Sequence, residues 1–149
     1  MSNHYVLTIG AMALLQTLAH AQQGDYSVAN LPPVVVKTVP QAGDVRVDPN
    51  ITEIRVTYSK RMEDGSWSWG QISNDTMPPT TGKPRYLPDG KTCVLPVKLE
   101  PGHTYVLQLN SLTGKFANFK DRQKRPAVAY LLVFQTRKAG GAAAAAAGQ

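Results

Sequence analysis

Apolar and polar residues alternate through the middle of this chain, and the alternation restarts after each of a series of Pro, Gly and Asp turns. Val34 to Val39 is an apolar run flanked by prolines, which predicts a first strand at a sheet edge. Pro40-Gln-Ala-Gly43 and Asp48-Pro-Asn50 read as turns. Ile54, Val56 and Tyr58 then share one parity and Glu53, Arg55 and Thr57 the other, as in a half-buried strand. After Glu63-Asp-Gly65 the alternation resumes over Ser66 to Ile72 and puts Trp67 and Trp69 on a shared face.

Asn74 to Gly82, with Pro78-Pro79 in its middle, is a loop, and Lys83 to Leu87 is a short strand. Pro88-Asp-Gly90 is a hairpin turn into Thr92 to Leu99, an alternating strand whose Pro96 predicts an edge position or a bulge. Tyr105, Leu107 and Leu109 point inward from the strand that follows Glu100-Pro-Gly102. Ala129 to Thr136 is apolar almost throughout and predicts a central strand, with Tyr130, Leu132 and Phe134 inward. No segment repeats apolar residues at helical spacing over a useful length. The expected fold class is all-β, a sandwich of about seven antiparallel strands with Greek-key connections.

Domain organisation follows from the flanks. Tyr5 to Ala19 is mostly apolar and ends in Ala19-His20-Ala21, an A-x-A cleavage pattern, so residues 1–21 read as an export signal cut near Ala21. Its n-region carries His4 but no Lys or Arg. Residues 22–31 form a loose leader, and residues 32–137 have the size of one sandwich domain. The Ala/Gly-rich end, residues 138–149, is a low-complexity tail too short to span a bilayer. The expected mature chain therefore has no membrane span and works outside the cytoplasm.

Charge changes this picture little. The net charge is +6, and all 16 Lys and Arg lie beyond residue 36, which favours acidic partners without selecting one. The densest basic patch, Lys120-Asp-Arg-Gln-Lys-Arg125, reads as a solvated turn. Nucleic acid would require basic residues interleaved with stacking aromatics on one face; Phe116 and Phe119 lie close by but suit core anchors as well, so nucleic acid is not an expected partner. Cys93 is the one cysteine; no internal disulfide can form, and its place among Leu95, Val97 and Leu99 makes it a small buried hydrophobe.

The turns and core positions resemble one family. Pro40 and Gly43 fit a P-x-x-G turn and Val47 the valine that closes the next loop. Ile54, Val56, Tyr58, Ser59 and Met62 fit I-x-V-x-F-S-x-x-M, with tyrosine for phenylalanine. Leu99, Pro101, Gly102 and Tyr105 fit L-x-P-G-x-x-Y, and Phe134-Gln-Thr136 fits a closing F-x-T. In this order, over residues 32–137, they resemble the bacterial Ig-like domain of the SbsA type, first described in S-layer proteins. Where that family often carries a D-x-x-G-N turn this chain has Asn118-Phe-Lys-Asp121 and then Arg122-Gln-Lys-Arg-Pro126, and the insert from Trp67 to Arg85 is unlike its usual short middle. The resemblance implies an Ig-like sandwich in an extracytoplasmic setting; activity does not follow from it.

Candidate chemistry is sparse. With His4 and His20 in the signal, His103 and Cys93 fall short of a zinc ligand set. No G-x-S-x-G or phosphate-cradling glycine loop occurs, and the aspartates sit in turns where Asp is ordinary. No catalytic residue, metal site or cofactor is expected. The sharpest binding candidates are Trp67 and Trp69, with Tyr86 across the hairpin: outward they would stack on sugar rings or a protein partner, inward they would be core, and at least one is expected in the core. Three functions compete. The first is a non-enzymatic exported module, structural, adhesive or protein-binding, at the bacterial surface or periplasm. The second is a carbohydrate-binding module. The third, a small secreted enzyme or inhibitor, has only His103 and the scattered acids behind it. The expected partner is accordingly a protein or a cell-surface polysaccharide.

Overall fold

A computed structural model describes residues 24–140. The expected signal, residues 1–21, and residues 141–149 of the Ala/Gly-rich tail lie outside the described residues. Seven strands form: β1 (Val35–Val39), β2 (Glu53–Tyr58), β3 (Trp69–Gln71), β4 (Arg85–Tyr86), β5 (Thr92–Pro96), β6 (Thr104–Leu109) and β7 (Tyr130–Gln135). They pair antiparallel in two sheets, ordered β1-β2-β5-β4 and β3-β6-β7. This is the four-on-three order of the seven-stranded immunoglobulin sandwich.

The residues chosen by alternation are the ones the sandwich buries. Ile54, Val56 and Tyr58 of β2, Tyr105, Leu107 and Leu109 of β6, and Leu132 and Phe134 of β7 are each at most 2 % exposed. Burying each such side chain contributes about 1.5–3 kcal/mol, which is how short strands of low intrinsic stability hold together. The core divides into two clusters. One gathers Ile54, Leu95, Tyr105, Leu107, Leu132 and Phe134; the other gathers Val56, Tyr58, Met62, Cys93, Leu109 and Phe119. Trp69 and Tyr130 pack against both.

Two strands sit elsewhere than the pattern predicted. β7 is the edge of its sheet, not a central strand. Its apolar character has another cause: residues 43–47 run along its free side. Gly43 N–H donates to Val133 O (2.7 Å), Gln135 N–H to Asp44 O (2.8 Å) and Val47 N–H to Gln135 O (3.1 Å). A parallel bridge then joins Val47 to Thr136. That cover takes up the unpaired edge. β5, conversely, is interior, between β2 and β4, and Thr92 to Leu95 are buried without alternation. Val94 has the outward parity but stands in register between Arg55 and Arg85, whose guanidinium groups both reach Glu53. Their aliphatic stems flank it. Pro96 ends β5 beyond the two residues of β4, where its missing N–H costs no ladder bond.

Several motif residues act as joins between strands and turns. Glu100 N–H donates to the Tyr105 hydroxyl (2.8 Å), the tyrosine corner that ties the start of a strand to the turn before it. The Thr136 hydroxyl donates to Glu100 O (2.5 Å) and accepts from His103 N–H (2.9 Å), which is what F-x-T places there. Gly43 and Gly102 adopt φ of 84° and 69°, the left-handed region where a side chain is strained. The departure from D-x-x-G-N proves to be one of residue type alone. Asp121 is fully buried and accepts from Gln123 N–H (2.9 Å), Arg125 N–H (2.9 Å) and Arg125 Nε (2.8 Å). Lys124, at the glycine position, takes φ 66°.

The segment read as a loose leader is held at Ala29 to Leu31. Arg125 donates to Asn30 O (2.5 Å) and Ala29 O (2.6 Å), and Lys60 donates to Ala29 O (3.2 Å) and Leu31 O. Both cations also reach the Asp121 carboxylate. Of the basic patch, Arg122 and Lys124 are exposed as expected for a solvated turn, while Arg125 is half-buried by this role.

Candidate functional site

Strand β3 is short because it is all that remains ordered as sheet between two turns, and it has β6 on one side only. Trp69 pairs with Leu109, Gly70 with Gln108 and Gln71 with Leu107. Asn110 N–H donates to Ser68 O (3.1 Å), which sets the phase of the ladder. Ser68 and Gly70 direct their backbone polar groups at β6, so Trp69 and Gln71 direct theirs away from it.

A groove of about 760 Å³ opens along this free edge. Trp69, Met77 and Leu95 line it, Thr80 and Gly82 border it from beside Val97 and Pro96 at the other sheet, and Trp67, Pro84 and Phe116 add to its wall. Gln71, Gln108, Ser111 and Thr113 supply polar groups, and Lys115 is the one charged residue of the lining.

The structure brings Trp67 and Trp69 together, though by a different route from the one predicted. Trp67 precedes β3 instead of belonging to it. Both indoles are half-buried and both pack on the second core cluster. Trp69 meets Phe119 edge-on, with centroids 5.6 Å apart at 77°, and its Nε1–H is buried without a partner. Tyr86, on β4, packs on the same cluster but lines a separate trough with Arg61, Glu63, Arg122 and Lys124. The three candidates therefore converge on one piece of core, and two of them share a groove. Phe119 is fully buried whereas Phe116 is 57 % exposed, so of this pair only Phe119 is a core anchor and Phe116 lines the groove.

The ionisable groups have structural employment. Burial, the largest cause, pushes the Cys93 thiol up to about 12, leaving no thiolate at neutral pH. Burial likewise raises Tyr58 and Tyr86. The His103 ring packs at a 43° tilt against Tyr105, with centroids 4.5 Å apart, and donates through Nε2 to Asp75 O (2.8 Å). Burial would raise the Asp121 carboxyl, but the Arg125 amide and guanidinium and the Gln123 amide outweigh it and hold it below the usual range.

Sequence reasoning missed Asn110. It is buried with φ 60°, donates to Phe119 O (3.1 Å) and Ala127 O (2.9 Å), and accepts from Phe119 N–H (2.9 Å). An asparagine closing an alternating strand was the available signal, since Asn tolerates the left-handed region. Met77 was missed as well; a lone methionine in a proline loop carries no periodic signal.

Residues 29–136 match the bacterial Ig-like domain family. Among solved structures the chain is similar to the S-layer protein rSbsC(31-844), at 17% identity and a TM-score of 0.48, over 73% of this chain and 14% of that one. The chain thus spans a small part of that protein's length. No curated protein matches it. With the family match covering the whole sandwich, the chain belongs to the bacterial Ig-like domain family.

Proposed function

We propose that this chain is a non-enzymatic, exported module of the bacterial surface or periplasm, acting as a structural or protein-interaction unit. The observation that carries the reading is the use made of the family residues. Tyr105, Thr136 and Asp121 are each committed to joining strands and turns, and the two groups that could serve catalysis, His103 and Cys93, are engaged in packing. A chain that spends its family-motif residues on rigidity suits a spacer or docking platform. The test is protease treatment of intact bacteria expressing the tagged full chain. Loss of the tag signal, with a cytoplasmic marker intact, supports the reading; protection until the cells are lysed, with the uncleaved chain in the cytoplasmic fraction, overturns it.

A carbohydrate-binding module is the second reading. Trp67 and Trp69 favour it by lining one groove with Gln71, Gln108, Ser111 and Thr113, a mixture of aromatic and amide or hydroxyl groups suited to sugars. Retention on insoluble cell-wall polysaccharide, lost in a folded Trp67→Ala variant, would move it to first place.

A further inference from the structure

We propose that the free edge of β3 is a docking site for a short extended peptide, apolar where it faces the groove and acidic where it nears Lys115. This rests on the reading of the chain as an interaction module and names its partner's chemistry. Three observations converge. First, Trp69 and Gln71 aim their N–H and C=O groups away from β6, along the ladder phase set by the Asn110–Ser68 hydrogen bond. An unpaired edge of this kind accepts a strand through main-chain hydrogen bonds. The opposite edge of the same sheet, β7, is already covered by residues 43–47, so β3 is where this sheet can grow. In nine-stranded immunoglobulin domains the corresponding sheet carries further strands at that position.

Second, the edge borders an apolar trough rather than open solvent. Trp69, Met77 and Leu95 lie in it, and a strand laid against β3 would turn alternate side chains onto them. Third, the lining holds Lys115 and no carboxylate, on a chain of net charge +6. Lys115 lies at the Ser68 end of the edge, because Ser111 N–H donates to Phe116 O (2.6 Å) while Asn110 binds Ser68. An acidic residue at that end of the guest is complementary, and a second copy of this cationic chain is not. A sugar would use the indoles but has no call on the backbone groups of Trp69 and Gln71.

The test is an NMR titration of the full chain with acetyl-Asp-Val-Thr-Val-Thr-Asp-amide, whose two aspartates serve either strand direction. The Trp69 and Gln71 amides are expected to exchange with solvent at least about tenfold more slowly at saturation. A peptide N-methylated at alternate residues should not bind. Gln71→Pro removes an outward donor while leaving the β6 ladder intact, and should weaken binding by about tenfold; Lys115→Glu should weaken it by about fivefold, with the loss shrinking in salt. Unprotected Trp69 and Gln71 amides at the highest peptide concentration would overturn the proposal. So would cellohexaose shifting the indole resonances where the peptide does nothing, which would assign the groove to glycan. Amides already protected in a peptide-free chain that sediments as a dimer would assign the edge to a second copy. A chain that is protease-accessible on intact cells but fails the titration loses the peptide site and keeps the module reading.

Discussion

The two ends of the sandwich solve the same packing problem with different thoroughness. At the end built around Tyr105, Leu132 and Phe134, the buried polar groups are spent: the Tyr105 hydroxyl takes the Glu100 amide and the Thr136 hydroxyl takes the Glu100 carbonyl. At the end built around Tyr58, Cys93 and Phe119, the Tyr58 and Tyr86 hydroxyls and the Trp69 indole N–H are buried without partners. A buried polar group left unpaired costs about 1–3 kcal/mol. The Tyr105 and Thr136 joins lie at the first end, while Val56, Tyr58 and Met62 of the second motif lie at the other. The groove and the open edge lie between the two: Trp67 packs on the second cluster, Leu95 and Met77 belong with the first, and Trp69 packs on both. The two ends thus differ in polar satisfaction, and the groove draws on both.

Trp69 joins the ends, so its removal is the severest test of their separation. Trp69→Ala should destabilise the fold by about 3 kcal/mol in urea unfolding, well beyond the effect of Trp67→Ala, which contacts the second cluster alone. Equal losses would mean the clusters do not communicate through this ring. Asp121→Asn comes next, at about 2 kcal/mol, because a hydrogen-bonded buried anion between Lys60 and Arg125 becomes neutral. Its carboxyl is held below the unfolded value of about 3.9, so the wild-type contribution is complete above that pH. It is lost as pH falls through the lowered folded value. The variant should therefore show a shallower decline of stability below about pH 4; identical acid profiles would remove Asp121 from that role.

The contrast itself is read most directly by a matched pair of hydroxyl deletions. Tyr105→Phe strands the Glu100 amide and should cost about 1.5 kcal/mol, whereas Tyr58→Phe removes an unpaired hydroxyl and should stabilise by about 1 kcal/mol. Loss in both cases would show that the second end is polar-satisfied in solution and that the ends do not differ. The smallest effect belongs to Lys124→Gly. It relieves a side chain in the left-handed region at the expense of an exposed ion pair to Glu63, for a net gain of about 0.5 kcal/mol in thermal melts.

Much of the fold was legible because strand alternation reports burial one residue at a time. Ile54-Val56-Tyr58 and Tyr105-Leu107-Leu109 need no neighbour to be recognised, and both triplets are buried as read. Strand order is another matter. The apolar run of β7 looked central because hydrophobicity on both parities signals two covered faces, while its lateral edge is covered by residues more than 80 positions earlier in the chain. Val94 misled the alternation in the same way, its outward side being roofed by arginines from two other strands. The candidate site was half legible: the indole pair was visible as spacing, but Met77, Leu95 and Phe116 reach the groove from three separate segments.

The sequence by itself determined the strand class, the inward sets of β2 and β6, the turns and the family, because these follow from local backbone preference and the period-two pattern. The tertiary structure alone decided which strand edges are covered, that Lys124 does a glycine's work, and that Asp121 anchors two cations to the residues preceding β1. It also decided that Trp67 and Trp69 open onto one groove while Tyr86 lines another trough. The physical reason is the same for all four. Each depends on which distant segment lies against a given backbone edge or side chain, and a one-dimensional pattern records the need for cover without naming what supplies it.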